Sequence, residues 1–429
     1  MNLKQFISIA NNDKIIIFLF VILIFGLPFV SYSFVINPIK VGQELYIVSV
    51  IVLWLFFRAI TFFRSKLLKI HVVDICFFVF LVYCVLHYFF YSYFGFLYNE
   101  FWIFSGYILL FYLFKWSFDY KKNREGLFNF TANLIWGLCS VQSIIGLLQE
   151  FDFLKSDNEF FKVVGTFINP NYLGINMVIG LIITLNLFIF QFSKNKFLKF
   201  LLIISAILMT YVLLLTESRA SWIAIFVAIT VFLGTSEKCV LYIKNNRMKA
   251  FGILSVIIFF GILSLYFLYK MNTDSVDGRS FIRKITLTPI LEKPILGNGI
   301  FNFTGIYNNS KADYFLESKR PWSEIKVGDY VAYVFNDYLQ IIFEIGIIGL
   351  ILIGLVLFFI GKDLLLNPNT RLGLALILSF GFLAIFTSVL YNPNAMIYLI
   401  WALSILVVFG KWICKQKVEK KLSYIFVIS

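Results

Sequence analysis

The feature that most constrains this chain is a succession of uncharged apolar runs, each about 20 residues long, interrupted once by a long polar stretch at 272–335. A run of that length crosses a bilayer as a helix, which satisfies its own backbone where no water is present. Composition supports the same reading. Of the 429 residues, 60% are hydrophobic and 20% aromatic, more apolar surface than a fold exposed to water can hide. The length rule predicts about twelve spans, near 15–34, 44–63, 72–93, 100–115, 129–149, 172–192, 198–216, 219–235, 250–270, 336–361, 371–391 and 394–411. The expected fold class is therefore an all-α integral membrane protein with one large polar loop between helices 9 and 10. The expected divisions are 1–271 for the first nine helices, 272–335 for the loop, 336–411 for the last three helices and 412–429 for a basic tail. That tail, ending KQKVEKKLSYIFVIS (415–429), suits the inner face of a bilayer.

A net charge of +14 invites a nucleic-acid reading, but the charges are in the wrong places for it. They concentrate in alternate short loops, which is the pattern that orients a membrane protein. With the N-terminus inside, the inner loops hold clusters such as Arg64, Lys66 and Lys69, then Lys121, Lys122 and Arg124, then Lys238, Lys244, Arg247 and Lys249. The short outer loops hold only Lys40, Lys155, Lys162 and Arg219. Both termini are expected inside and the long loop outside, since long segments translocate largely regardless of charge. The five cysteines have neither CxxC nor metal-ligand spacing, and His71 and His87 both belong to one apolar run. No metal site and no cofactor are expected.

Charges at the mouth of a helical bundle are costly and so mark candidate chemistry. In LLTESRASW (214–222), Arg219 sits in a turn between two spans, where a guanidinium can grip a phosphate in two places. The same pattern also suits a Glu217–Arg219 pair, or an arginine reaching to lipid headgroups. In GRSFIRK (278–284), Arg279 and Arg283 are four residues apart and share a face if the segment is helical, which suits a diphosphate; simple adhesion to anionic lipid is the other reading. Pro289 is expected to break or kink that segment. The run Gly297–Asn298–Gly299 in EKPILGNGIFNF (292–303) reads as a tight turn, with amides that could face an anion. At the loop exit, VFNDYLQIIFEIGIIGL (334–350), Asn336 and Asp337 stand where a helix cap and first turn would be. Glu344 lies about two turns deeper in an apolar run. Gly346 and Gly349 would let a neighbouring helix approach. Ahead of the sixth span, VVGTFINPNYLGINM (163–177) offers Asn169 and Asn171 as caps or as amides for sugar hydroxyls.

In this order and spacing, GTFINPN, ESRAS, GR followed by KPILGNG, and NDYLQ followed by EIGIIGL resemble the O-antigen ligase and polymerase superfamily of bacterial envelope enzymes. The resemblance covers about 165–350 and includes the topology of about twelve helices with one large periplasmic loop. It implies transfer of a glycan, at the periplasmic face of the inner membrane, from an undecaprenyl-diphosphate donor to a hydroxyl acceptor, without a metal. The acceptor is lipid A–core in ligases and another lipid-linked repeat unit in polymerases. By the same resemblance Arg219 and Arg279 would hold the donor diphosphate. Arg283 is expected in support, and Asn336, Asn171 and Glu344 are expected to bind substrate.

One position departs from the family. Ligases typically carry a His just before the Asn of the exit motif, and here that position is Phe335. His71 and His87 are expected near or below the middle of the third span, too deep to replace it. Asp337 is then the nearest candidate base, with Asp329 and Glu344 behind it, unless the arginines do most of the work and no strong base is needed; the departure shifts weight from ligase toward a polymerase or a divergent ligase with another acceptor. A transporter or flippase is the rival class. It would call for midplane charges and an internal repeat. The charges nearest that description are Arg58, Asp74 and Glu344, and no repeat is visible.

Overall fold

A computed structural model describes residues 13–32, 37–62, 72–91, 99–120, 124–156, 158–191, 195–235, 245–246, 273–317, 320–362, 364 and 366–426. Its regular elements are all helical. α1 (Asp13–Val21) runs on through a π turn (Ile22–Gly26) and a 3-10 turn (Leu27–Phe29). Then come α2 (Pro38–Phe62), α3 (Val72–Tyr91), α4 (Asn99–Tyr120), α5 (Arg124–Glu150), α6 (Pro170–Asn186), α7 (Lys196–Leu215) and α8 (Arg219–Thr235). The polar stretch contributes α9 (Thr273–Glu292), α10 (Phe303–Glu317) and α11 (Trp322–Lys326). The chain closes with α12 (Asp337–Lys362), α13 (Pro368–Phe386) and α14 (Pro393–Phe426).

Among the described residues, nine helices are long and apolar enough to cross a membrane: α2 to α7 and α12 to α14. Lys14–Phe29 and Arg219–Thr235 are apolar but shorter. The span expected near 250–270 lies outside the described residues. The protein is thus a multi-pass helical membrane protein. Its centre is α6 and the start of α14, whose spans are 78% and 83% buried. Small and polar groups let these helices close up, as bilayer interfaces require. Phe128 of α5 lies parallel to Trp401 of α14 with ring centres 5.9 Å apart, and Trp401 donates from Nε1 to Thr131 Oγ1 at 3.0 Å. Asn176 of α6 donates to the Tyr398 hydroxyl at 3.1 Å.

The polar stretch is not an open loop. α9 buries Phe281, Ile282, Ile285 and Ile290 against Phe303 and Tyr307 of α10 and Val334 and Phe343 at the loop exit, forming a second small core. GRSFIRK is helical, so Arg279 and Arg283 do stand one turn apart. Pro289 does not break the helix, which ends three residues later at Glu292. That near the C-terminus, a proline removes one intrahelical bond and leaves little helix beyond it to disrupt.

α12 is broken at Gly346, which has φ 67° and ψ −173°, a region open almost only to glycine. The expectation that Gly346 admits a neighbouring helix is corrected here: it admits a turn of the polar stretch, around Ile295 and Leu296. Asn298 and Gly299 donate their backbone N–H groups to the carbonyls of Phe343 and Glu344 at 2.8 and 2.9 Å. Ile347 and Ile348 donate to the carbonyls of Pro294 and Ile295 at 3.0 and 3.3 Å. The Asn298 and Gly299 amides therefore serve the broken helix, the Gly297 amide donates to the Lys293 carbonyl at 2.9 Å, and none of the three is turned toward an anion. In an apolar surrounding each stranded backbone group costs several kcal/mol, so the break persists only with this partner. A Cβ on Gly297 would sit 2.6 Å from the Glu344 carbonyl oxygen, which makes the fit reciprocal.

Gly346→Ala should lower the thermal midpoint of the detergent-purified protein, by about 1–3 kcal/mol of backbone strain before any clash is counted. Gly354→Ala, on the same helix with open space around its Cβ, should leave the midpoint unchanged or raise it slightly. Size-exclusion fluorescence after heating reads both; equal midpoints for the two variants would contradict the docking role.

Candidate functional site

The site is assembled where α9, α12 and α13 meet. Arg279 of α9 is half-buried, donates from Nη1 to the Phe386 carbonyl at 2.8 Å, and stands 5.4 Å from the centre of the Phe335 ring. Burial, then the positive charges of Arg219 and Arg283, lowers its pKa from the ordinary arginine value. Arg219 and Arg283 thus lie near enough for their charges to act on Arg279, although Arg219 and Arg279 are 60 residues apart in the chain (279 minus 219). A guanidinium with two like charges near it gains by binding an anion, and the planar fork suits phosphate. Arg219 opens α8. Just before it, Glu217 is exposed with φ 51°, and Ser218 and Ser221 share a 2.8 Å hydroxyl hydrogen bond close against Gly174 of α6. Arg283 is exposed.

At the loop exit Phe335 has φ 56°, a left-handed conformation that bulky residues avoid. Asn336 caps α12 by accepting from Leu339 N at 3.0 Å. Asp337 stands in the first turn of α12, as expected, but its side chain does not cap the helix. It is 2% exposed, and its Oδ2 accepts from the amides of Val389 and Leu390 at 2.9 and 3.2 Å, tying α12 to the turn before α14. Its Oδ1 is buried with no partner. Glu344 is buried too, but fully engaged. Oε1 accepts from Gln340 Nε2 and the Tyr391 hydroxyl, both at 3.0 Å, and Oε2 accepts from Phe301 N at 3.1 Å.

Asp337, Gln340 and Glu344 line a cavity of about 150 Å³ that also receives Lys40 and Glu44 of α2 and Glu100 of α4. Lys40 is 3.8 Å from Glu44 and 3.6 Å from Glu100, and donates to the Tyr333 hydroxyl. Its ammonium lies 5.1 and 5.8 Å from the ring centres of Tyr333 and Tyr391. Burial raises both phenol pKa values above the ordinary one. Reading the sequence missed Lys40, Glu44 and Glu100, because charges at the heads of spans pass for orientation signals. The available clue was an opposite-sign pair four residues apart at the start of an apolar run.

The segment VVGTF is held by two glutamines of α5. Gln149 accepts from the amides of Val164 and Gly165 at 3.0 and 2.8 Å and donates to the Gly165 carbonyl at 2.8 Å. Gln142 accepts from Thr166 N at 3.2 Å and donates to its hydroxyl at 2.8 Å. Asn169 caps α6, accepting from Asn171 N at 2.8 Å and from its side-chain amide at 3.0 Å, so Asn171 serves the turn. His87 is not as deep as expected. It lies one turn from the end of α3, with Nε2 2.6 Å from the Leu296 carbonyl and its ring stacked on Tyr91. It supports the docked segment and does not line the cavity. Two charges that a transport reading would draw on are engaged as well: Lys115 donates to Asp74 at 2.5 Å, and Arg58 to Ser117 at 3.4 Å.

Fold and site together define a multi-pass membrane protein with an arginine cluster and a carboxylate-lined cavity on either side of one loop exit. Residues 204–354 match the family model described as O-antigen ligase, and over that stretch the resemblance to the O-antigen ligase and polymerase superfamily is borne out. The match supports ligase- or polymerase-type transfer, with a lipid-linked glycan and a glycan acceptor as the general partners. Comparison with curated proteins gives no match.

Gln149→Leu strands the amides of Val164 and Gly165, at about 1–3 kcal/mol each. The thermal midpoint in detergent should fall accordingly; an unchanged midpoint would mean the segment is held by something else.

Proposed function

We propose that the protein transfers a glycan from an undecaprenyl-diphosphate donor to a hydroxyl acceptor at the periplasmic face of the inner membrane, with both termini cytoplasmic and without a metal. The observation that carries this reading is the convergence of Arg219, Arg279 and Arg283, all within the family-matched stretch, beside the loop exit. In the transition state, negative charge develops on the departing diphosphate, and preset guanidiniums in a dry site stabilise it at the moment it forms. Phe335 packs its ring against Arg279 and so helps to hold the guanidinium in place. Asp337, two residues on, serves as general base, since a carboxylate can take the acceptor proton within hydrogen-bond reach. Asn336 and Asn171 keep their segments shaped around the substrate, and Glu344 orders the cavity wall through Gln340 and Tyr391. The basic-loop asymmetry supports the periplasmic side.

Phe335 favours a second reading, a repeat-unit polymerase of the same superfamily, because the residue on which the ligase mechanism turns is missing. In a deletion strain complemented with Arg279→Ala, lipid-linked glycan should accumulate and transferred glycan should fall by at least about 100-fold, the scale of losing one such stabilising contact. Arg279→Lys should restore only part of it. Unchanged glycan banding on a gel would sink the assignment. Loss of all lipid A-linked glycan in the deletion strain means ligase, whereas a single repeat unit remaining on the core means polymerase.

A further inference from the structure

We infer that the cavity between α2, α4 and α12 is the acceptor subsite, and that it takes a neutral or amine-bearing sugar ring whose attacking hydroxyl donates to Asp337 Oδ1. The inference rests on the transfer reading above, and adds the location and chemical class of the acceptor. Of the cavity's charged groups, Glu44, Glu100, Asp337 and Glu344 are carboxylates and only Lys40 is a cation. Glu344 is saturated by Gln340, Tyr391 and the Phe301 amide. Lys40 is drawn toward Glu44, Glu100 and Tyr333. Asp337 Oδ1 is left, an acceptor on a side chain that is 2% exposed, lines the cavity and has no partner. A buried carboxylate oxygen in that state is costly, and an incoming O–H or N–H removes the cost.

The signs of charge divide the two substrates. The arginines gather on the side where the Phe335 ring meets Arg279, while the carboxylates line the cavity that Asp337 enters. Phe335 and Asp337 are two residues apart, at most about 7 Å of chain, so the two subsites adjoin. A diphosphate or an acidic sugar is repelled from the carboxylate side, and a hydroxyl-rich ring is not. A cavity of about 150 Å³ is also the size known to hold one six-membered ring. Tyr107 and Phe104 give it the aromatic walls on which the apolar face of a sugar can lie.

In the step this geometry allows, the acceptor O–H bond breaks and its proton passes to Asp337 Oδ1. The acceptor oxygen bonds to the anomeric carbon of the donor. The bond from that carbon to the diphosphate breaks, and its electron pair leaves on the diphosphate held by the arginines. Asp337 then releases the proton to water. Lys40, Glu44, Glu100 and Tyr391 lie outside the family-matched stretch 204–354, so this subsite is where the chain sets its own acceptor preference.

The test uses the full-length protein in lipid nanodiscs. The donor is lipid-linked glycan extracted from the deletion strain. The acceptors are a neutral oligosaccharide and the same oligosaccharide oxidised to a uronic acid. Glu100→Gln and Glu44→Gln should each raise KM for the neutral acceptor by about 10-fold, the scale of one charge-assisted hydrogen bond, with donor KM unchanged. Both should narrow the gap between neutral and acidic acceptors. Asp337→Asn should lower kcat at least about 100-fold while donor binding persists, which also reports that the variant is folded. Wild-type acceptor KM and wild-type discrimination in both glutamine variants would overturn the subsite. If Arg279→Ala abolishes transfer while the glutamine variants behave as wild type, only this inference fails. If Arg279→Ala transfers normally, the transfer reading fails with it.

Discussion

The structure depends on a break in a membrane helix that is made good by a segment from outside it. α12 is apolar along nearly all its length, and left to itself it would run straight. At Gly346 it does not, and four backbone hydrogen bonds to residues 294–299 take up the groups that the break exposes. This fastens the polar stretch to the bundle and sets the position of everything on either side. Upstream, the fastening brings α9 and Arg279 to the end of α13. On α12 itself, it presents the Phe301 amide to Glu344, and Glu344 in turn holds Gln340 and Tyr391 in the cavity wall.

The site that results is organised by the sign of charge. Guanidiniums meet on one side of the loop exit and carboxylates on the other. The chain at 335–337 supplies a residue to each. Phe335 pays a backbone penalty at φ 56° to lay its ring against Arg279, and Asp337, which lines the cavity, is pinned through one oxygen to the 389–390 amides while the other is buried without a partner. Such an arrangement allows a dianionic leaving group and a hydroxyl nucleophile to be held side by side without competing for the same partners.

Much of this was legible in the sequence, and the parts that were not share a cause. Apolar run length is a local property, so most spans could be read directly. The arginines could be named because few outer residues carry charge, and their four-residue spacing on α9 was visible. The nearness of Arg219 to Arg279 was an expectation from the resemblance alone, because it depends on tertiary packing that no local pattern encodes. Gly346 looked like a helix-contact glycine because a broken helix and a closely packed one ask for the same residue. Lys40, Glu44 and Glu100 were hidden because a charge at a span head has an adequate explanation in orientation, and only tertiary contact reveals that the heads of α2 and α4 converge. The tie from Asp337 to Val389 and Leu390 was hidden for the same reason: these partners come 52 and 53 residues later.

The order of synthesis gives the helix break a further meaning. Asn298 leaves the ribosome 45 residues ahead of Phe343, the residue whose carbonyl it will serve. The docking segment thus exists before the helix it completes, and α12 enters the bilayer with its partner already made. A nascent α12 can insert as an ordinary uninterrupted helix, and Gly346 can swing into its left-handed conformation only when the waiting segment arrives to take the released bonds. The geometry of the site is then tied to a pairing between two parts of the chain made at different times.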